Sequence, residues 1–174
     1  MRIRTNDLIL LILFTVFIVA GISKSISANF IIRSQTLLTT FKWCGIPTLI
    51  LAAFFAYRAT FGYRDKMMPL WRNITGFAVL IFVVSMITFV SFEGMLIRIN
   101  HTCGKQKKYN MSGKVVRIEC PRREIPLNRY SIYIARDPEN DSVKLEVPSI
   151  NWNEGQPFQK DMKVGSLGFI YADK

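Results

Sequence analysis

Apolar residues dominate three stretches in the first hundred positions, Leu8 to Ile22, Trp43 to Tyr57 and Ile74 to Ile97, and afterwards break up into short alternating segments. A helix rises 1.5 Å per residue, so a hydrocarbon core about 30 Å thick takes about 20 residues to cross. The third stretch, ITGFAVLIFVVSMITFVSFEGMLI, reaches that length with Glu93 as its only ionisable residue. The first reaches it by continuing through SKSISA with Lys24 snorkelling to the headgroups, and the second by starting near Thr40, before Lys42. Pro47 lies near the start of the second span, where a membrane helix tolerates it and can kink. Three transmembrane helices are expected at about 8–28, 40–60 and 74–97.

Beyond the third stretch, NHTCGKQKKYNMSG is polar and basic with no apolar period, which predicts a linker over 99–112. The period then becomes two. GKVVRIEC places Val116, Ile118 and Cys120 on one face and Val115, Arg117 and Glu119 on the other. RYSIYIAR aligns Tyr130, Ile132 and Ile134, and SVKLEV aligns Val143, Leu145 and Val147. Alternation of this kind predicts half-buried strands, and the turn cluster DPEND between the last two predicts that they pair as a hairpin. KVGSLGFIYA reads as a further strand, with Gly165 and Gly168 permitting a bulge or bend. The expected fold class is membrane α + β. A three-helix domain at 1–98 leads through the basic linker to a small antiparallel β barrel or sandwich at 113–174, of the oligonucleotide-fold or SH3-like kind.

Charge sets the orientation. The chain of 174 residues carries a formal charge of +11. Without a nucleic-acid motif that charge is read as topological and headgroup-binding, and no nucleic-acid partner is expected. Arg2 and Arg4 precede the first span, and Arg58, Arg64, Lys66 and Arg72 crowd the second connection. Positive loops stay in the cytoplasm, so the N-terminus is expected inside and everything after Ile97 outside, although Lys24, Arg33 and Lys42 make the outer connection basic as well. A competing reading treats MRIRTND and LILLILFTVFIVA as a cleaved signal peptide, with Ser25 and Ser27 near the cut; it leaves the tail outside all the same. The compact plan suggests a bacterial inner membrane with the tail in the periplasm. The Asn100, Asn110 and Asn140 glycosylation patterns would carry meaning only in a eukaryotic secretory lumen.

An oxidising compartment would allow Cys103 and Cys120 to form a disulfide, closing a loop of about 17 residues for roughly 3 kcal/mol; buried free thiols are the alternative. Glu93 is the most costly residue in the spans, and Lys24 and Lys42 fall near the same outer boundary, which predicts intramembrane charge pairing among the three. His101 and Cys103 do not reach a zinc ligand set, so no metal is expected. Lys105, Lys107 and Lys108, joined by Arg122 and Arg123, are candidates for binding an anionic surface, with solvated charge as the bland reading. Trp152, in the turn-rich SINWNEGQPF, is a candidate either for the β core or for partner contact. Small residues at Gly21, Gly45, Ala52, Ala53, Ala56 and Gly76 allow close helix packing within the chain or between copies, so a homo-oligomer is one expectation.

No P-loop, GxSxG, HExxH, CxxC or dinucleotide fingerprint is present, which argues against an enzyme and against a cofactor. The leading expectation is a non-enzymatic protein of the bacterial inner membrane. Held by the lipid bilayer, its β domain would bind another membrane or periplasmic protein, as an accessory subunit or an immunity factor against a membrane-active toxin. An oligomeric transport subunit using Glu93 is the alternative, and a membrane-bound enzyme the third reading.

Overall fold

The computed structural model describes residues 5–28, 30–62, 69–119, 130–136, 141–149 and 151–172. Three long apolar helices are followed by a curled five-stranded antiparallel sheet, a half-barrel. Helix α1 spans Thr5–Ser27, α2 spans Arg33–Tyr57 and ends in a π-helical turn at Arg58–Gly62, and α3 spans Leu70–Thr102. Each is long and apolar enough to cross a membrane. Helix α2 continues through Pro47, and the neighbouring Thr48 hydroxyl donates to the Cys44 carbonyl at 2.6 Å.

The chain divides into two compact units. One comprises residues 1–26 and 39–95, the other 27–38 and 96–174. In the helical unit the usual globular pattern is inverted. Its buried positions are small or polar, among them Gly21, Ser25, Ala52, Ala56, Thr88, Ser91 and Glu93, whereas Leu11, Val16, Ile46, Leu49, Val79 and Phe82 face outward. Several hydroxyl groups in these helices are satisfied locally, Thr15, Thr48, Thr60, Thr75 and Ser91 each donating to the carbonyl four residues earlier, whereas the buried Thr88 hydroxyl has no hydrogen-bond partner among the described residues. Phe14 stacks on Phe55, and Phe17 meets Phe92 edge-on.

The β unit is ordered β3-β2-β1-β4-β5, with β1 Lys107–Glu119, β2 Tyr130–Arg136, β3 Asp141–Val147, β4 Pro157–Val164 and β5 Ile170–Tyr171. The long first strand is shared. Its residues Lys107 to Lys114 pair with β4, and Lys114 to Glu119 pair with β2, so the ladder changes partner at Lys114. Gly113 stands at this handover because a Cβ would strike the Ala135 carbonyl oxygen and the Ile134 side chain. The expected strand pairs at Ile132, Ile134, Val143, Leu145 and Val147 all face the core.

Several expectations are corrected. Residues 99–112 are not a linker: α3 continues to Thr102 and β1 begins at Lys107. The pattern there was masked because Tyr109 and Met111 alternate with lysine and asparagine, leaving only two apolar side chains to mark the inward face. A bulge between Val115 and Arg117 shifts the alternation of β1 by one residue: Val115 is fully buried and Val116 is 56% exposed, while Ile118, opposite Ile132, keeps its expected place against the core. The closing segment is not one strand, because β4 ends at Val164 and a turn precedes β5. Neither a closed barrel nor a two-layer sandwich forms among the described residues; β3 and β5 are the two sheet edges.

The largest correction concerns the segment between α1 and α2. It belongs to the β unit, where Phe30 and Ile32 enter the core beside Met111, Val115, Phe158 and Met162. Phe30 meets Trp152 edge-on at 6.2 Å between ring centroids, Trp152 lies 5.6 Å from Phe158, and the Lys160 ammonium sits 3.6 Å from the Phe30 ring centre. The backbone also joins the sheet: Phe30 N–H donates to the Glu146 carbonyl at 2.7 Å, and Glu146 N–H donates to Ile31 at 3.4 Å. This covers part of the β3 edge, and Arg33 adds an ion pair to Glu146 at 3.4 Å. Phe30 holds a positive φ of 53°, which costs a non-glycine residue about 1–3 kcal/mol. Burying its ring offsets that, at about 1.5–3 kcal/mol for the side chain together with the ring and cation contacts.

Phe30→Ala should destabilise the full chain by about 3–5 kcal/mol, whereas Phe30→Gly, which loses the same ring but relieves the backbone, should be less damaging by about 1 kcal/mol. Denaturant unfolding in detergent, followed by Trp152 fluorescence with Trp43 and Trp71 replaced by Phe, measures both; equal losses would remove the strain argument.

Candidate functional site

Glu93 is fully buried in the helical unit, and the Ser25 hydroxyl donates to its carboxylate at 3.1 Å. The backbones of α1 and α3 come close beside it. A Cβ on Gly94 would collide with the Gly21 carbonyl oxygen, and one on Gly21 would collide with the Ser91 backbone. Two glycines at one crossing let the helices touch backbone to backbone, the close approach that small residues give to membrane helices. Glu93 is therefore enclosed beside this close crossing of α1 and α3. Lys24 is half-buried, and Lys42 is exposed with no ion pair among the described residues. At the opposite ends of the first two helices, Arg58 forms an ion pair with Asp7.

In the β unit, Asn100 is a polar residue that sequence reasoning passed over as linker. Its amide donates to the Phe169 carbonyl at 3.1 Å and its oxygen accepts from Leu167 and Phe169 N–H at 2.9 and 3.3 Å. It thereby closes the turn between β4 and β5. His101 stacks on Tyr171, with 3.7 Å between ring centroids, and Tyr171 donates its hydroxyl to Gln106 at 2.8 Å. The only signal available for this clamp was a run of helix-compatible residues past the apolar stretch.

Cys103 carries a free, exposed thiol, and its expected partner Cys120 lies outside the described residues, as do Arg122 and Arg123. No disulfide is present among the described residues, so the expected bridge is not part of this structure. Lys105, Lys107 and Lys108 are exposed; Lys108 stands directly opposite Lys163 in the β1–β4 ladder, next to the pair Asn110 and Asp161. Trp152 is half-buried and packs against the core through Phe30 and Phe158.

The outer face of the sheet carries an ordered cluster beside the bulge. Lys144 on β3 donates to Glu119 on β1 at 2.9 Å, and Arg117 approaches the same carboxylate at 3.5 Å. Tyr133 on β2 lies beneath both cations, 5.3 Å from the Lys144 ammonium and 5.9 Å from the Arg117 guanidinium carbon. The hydrogen bond from Lys144 holds Glu119 below the ordinary carboxylate range, and the same bond raises Lys144 above the ordinary lysine value. At the β2–β3 end, Arg136 donates to both Asp141 oxygens and to Tyr109, and lowers the Asp141 carboxyl. No group of three or more metal-ligating side chains exists among the described residues.

Comparison with family models, curated proteins and solved structures finds no match to this chain.

The depressed Glu119 and Asp141 stabilise the fold above their ordinary values near pH 4, and that contribution is lost as pH falls through their lower folded values. The raised Lys144 contributes below the ordinary lysine value and loses its share as pH rises beyond it. Thermal unfolding of the detergent-solubilised chain should thus show an acid limb below about pH 4 that is shallower in the Glu119→Gln, Asp141→Asn double variant. An unchanged acid limb would place the acid sensitivity elsewhere.

Proposed function

We propose that this chain is a membrane-anchored, non-enzymatic binding protein of the bacterial inner membrane. Three transmembrane helices hold the half-barrel in the periplasm, where its outer face contacts another envelope protein as an accessory subunit or an immunity factor against a membrane-active toxin. The half-barrel is read as a partial barrel of the oligonucleotide-fold or SH3-like kind, with β1 shared between two ladders.

The observation that carries this reading is the bulge. It ejects Val116 to 56% exposure beside Arg117, Tyr133, Lys144 and Glu119. An exposed aliphatic side chain framed by tyrosine, arginine and a pre-ordered ion pair has the composition of an interface hot spot with a polar rim. Bulges recur where a strand must re-aim a side chain. Because the ion pair is already formed, little side-chain freedom remains to be lost on docking.

The membrane topology gains support from the β unit itself. Phe30 and Ile32 lie in its core, so the turn between α1 and α2 and the C-terminal segment occupy the same aqueous compartment. Helices that cross alternately satisfy this, since the first connection and everything after the third crossing fall on one side. The basic residues Arg58 and Arg72 then lie on the other side, as the positive-inside rule requires.

A photo-cross-linking residue placed at Val116 in cells should give a discrete higher-mass adduct with another envelope protein, and one at Gln159, exposed on β4, should not. Tyr133→Ala should reduce that adduct several-fold, by about 1–2 kcal/mol of hot-spot energy. Absence of any adduct at Val116 would remove the outer face as the partner surface. Sidedness is read separately from Cys103: in a Cys44→Ser, Cys120→Ser chain, a membrane-impermeant maleimide should label Cys103 in spheroplasts without lysis. Labelling only after lysis would reverse the orientation.

A further inference from the structure

The helical unit contains a groove between α2 and α3 with a volume of about 540 Å³, within the usual range for a small-molecule site. Its walls are Gly45, Ile46 and Leu49 from α2 and Met86, Phe89 and Val90 from α3. Thr48 also lines it, but its hydroxyl is already bonded to the Cys44 carbonyl, so the groove presents mainly hydrocarbon. One cation lines the groove. Lys42 is exposed and makes no ion pair among the described residues, whereas Arg58, toward the other end of the same segment, is paired with Asp7.

At 1.5 Å per residue, Lys42 and Arg58 bracket about 24 Å of helix, close to the thickness of a hydrocarbon core with both side chains snorkelling outward. Lys42 therefore falls at the level of the phosphate groups of one leaflet. An ammonium at that level meets phosphates and water, and the chain supplies no anion of its own for it among the described residues. An apolar slot with a single cation at its headgroup end is complementary to one kind of molecule, an amphiphile with an anionic head.

We propose that this groove binds one anionic phospholipid of the outer leaflet, with an acyl chain along Gly45, Ile46, Leu49, Met86 and Phe89 and its phosphate against the Lys42 ammonium. A second copy of the chain fits less well. A two-fold contact through the same groove would bring Lys42 against its twin at equal depth in a low-dielectric medium. The missing side chain at Gly45 keeps the slot open, since a Cβ there would meet only the Phe41 ring, at 3.8 and 4.0 Å. This assignment rests on the membrane-spanning reading of the three helices.

Native mass spectrometry of the full chain, released from bilayers holding equal phosphatidylglycerol and phosphatidylcholine, tests it. The wild type should retain one phosphatidylglycerol in preference to phosphatidylcholine by about fivefold, the effect of one basic residue at an anionic surface. Lys42→Gln should abolish the preference and Lys42→Arg should keep it. Gly45→Leu, which has room for its Cβ, should cut retention of either lipid several-fold. An unchanged preference in Lys42→Gln, or full retention in Gly45→Leu, would overturn the site. So would efficient disulfide trapping between copies carrying Ile46→Cys, which would assign the groove to a second copy. Alkaline carbonate extraction of the same membranes separates the two levels: release of the wild type sinks the membrane reading itself, whereas retention without lipid preference sinks only the site.

Discussion

An open, curled sheet leaves one apolar face without a second layer, and here that face is completed by a segment from far away in the sequence. Phe30 and Ile32, carried by the turn between the first two helices, fill the concave side of the half-barrel. Phe30 does so in a conformation that side chains rarely adopt, held by Trp152, Phe158 and the Lys160 ammonium. Without that insertion Val115, Phe158 and Met162 would lose packing partners on a unit too small to spare them. The same segment hydrogen-bonds to Glu146, so it blunts part of a sheet edge while filling the core.

The helical unit shows the opposite pattern. Large side chains point outward and the interior is narrow, built from glycine, alanine, serine and threonine. Such an interior brings backbones together at Gly21 and Gly94 and leaves one costly group, Glu93, enclosed where Ser25 can hydrogen-bond to it.

How legible this was depends on how local the cause was. The three helices and the inward faces of β2 and β3 follow from period alone, because Ile132, Ile134, Val143, Leu145 and Val147 alternate without interruption. The bulge at Val116 was illegible, since VVRI alternates acceptably with Val116 and Ile118 inward, and only an extra residue between Val115 and Arg117 lets Val115 and Ile118 share the core face. The first half of β1 was hidden by its lysines, and β4 by a proline, a glutamine and three charged residues around Phe158 and Met162. Least legible was SANFIIRS, which falls in the expected connection between the first two spans; nothing nearby announces that the partners of Phe30 and Ile32 lie beyond residue 110. Of the site residues, Glu93 and Lys42 stood out by charge, whereas Tyr133 and Val116 became a cluster only when strands were laid side by side.

The insertion of Phe30 also imposes an order on biogenesis. Arg33 and Glu146, which meet in the finished unit, are 113 positions apart. A ribosome delivers the first of them well before any strand has been made, so the plug waits for its socket. Closing so long a loop is slow, and it comes late in folding. Until the last strands arrive, Phe30 and Ile32 in the first connection stay uncovered, a natural foothold for chaperones and for quality-control proteases. A chain truncated before β4 would keep that foothold permanently and be marked for removal.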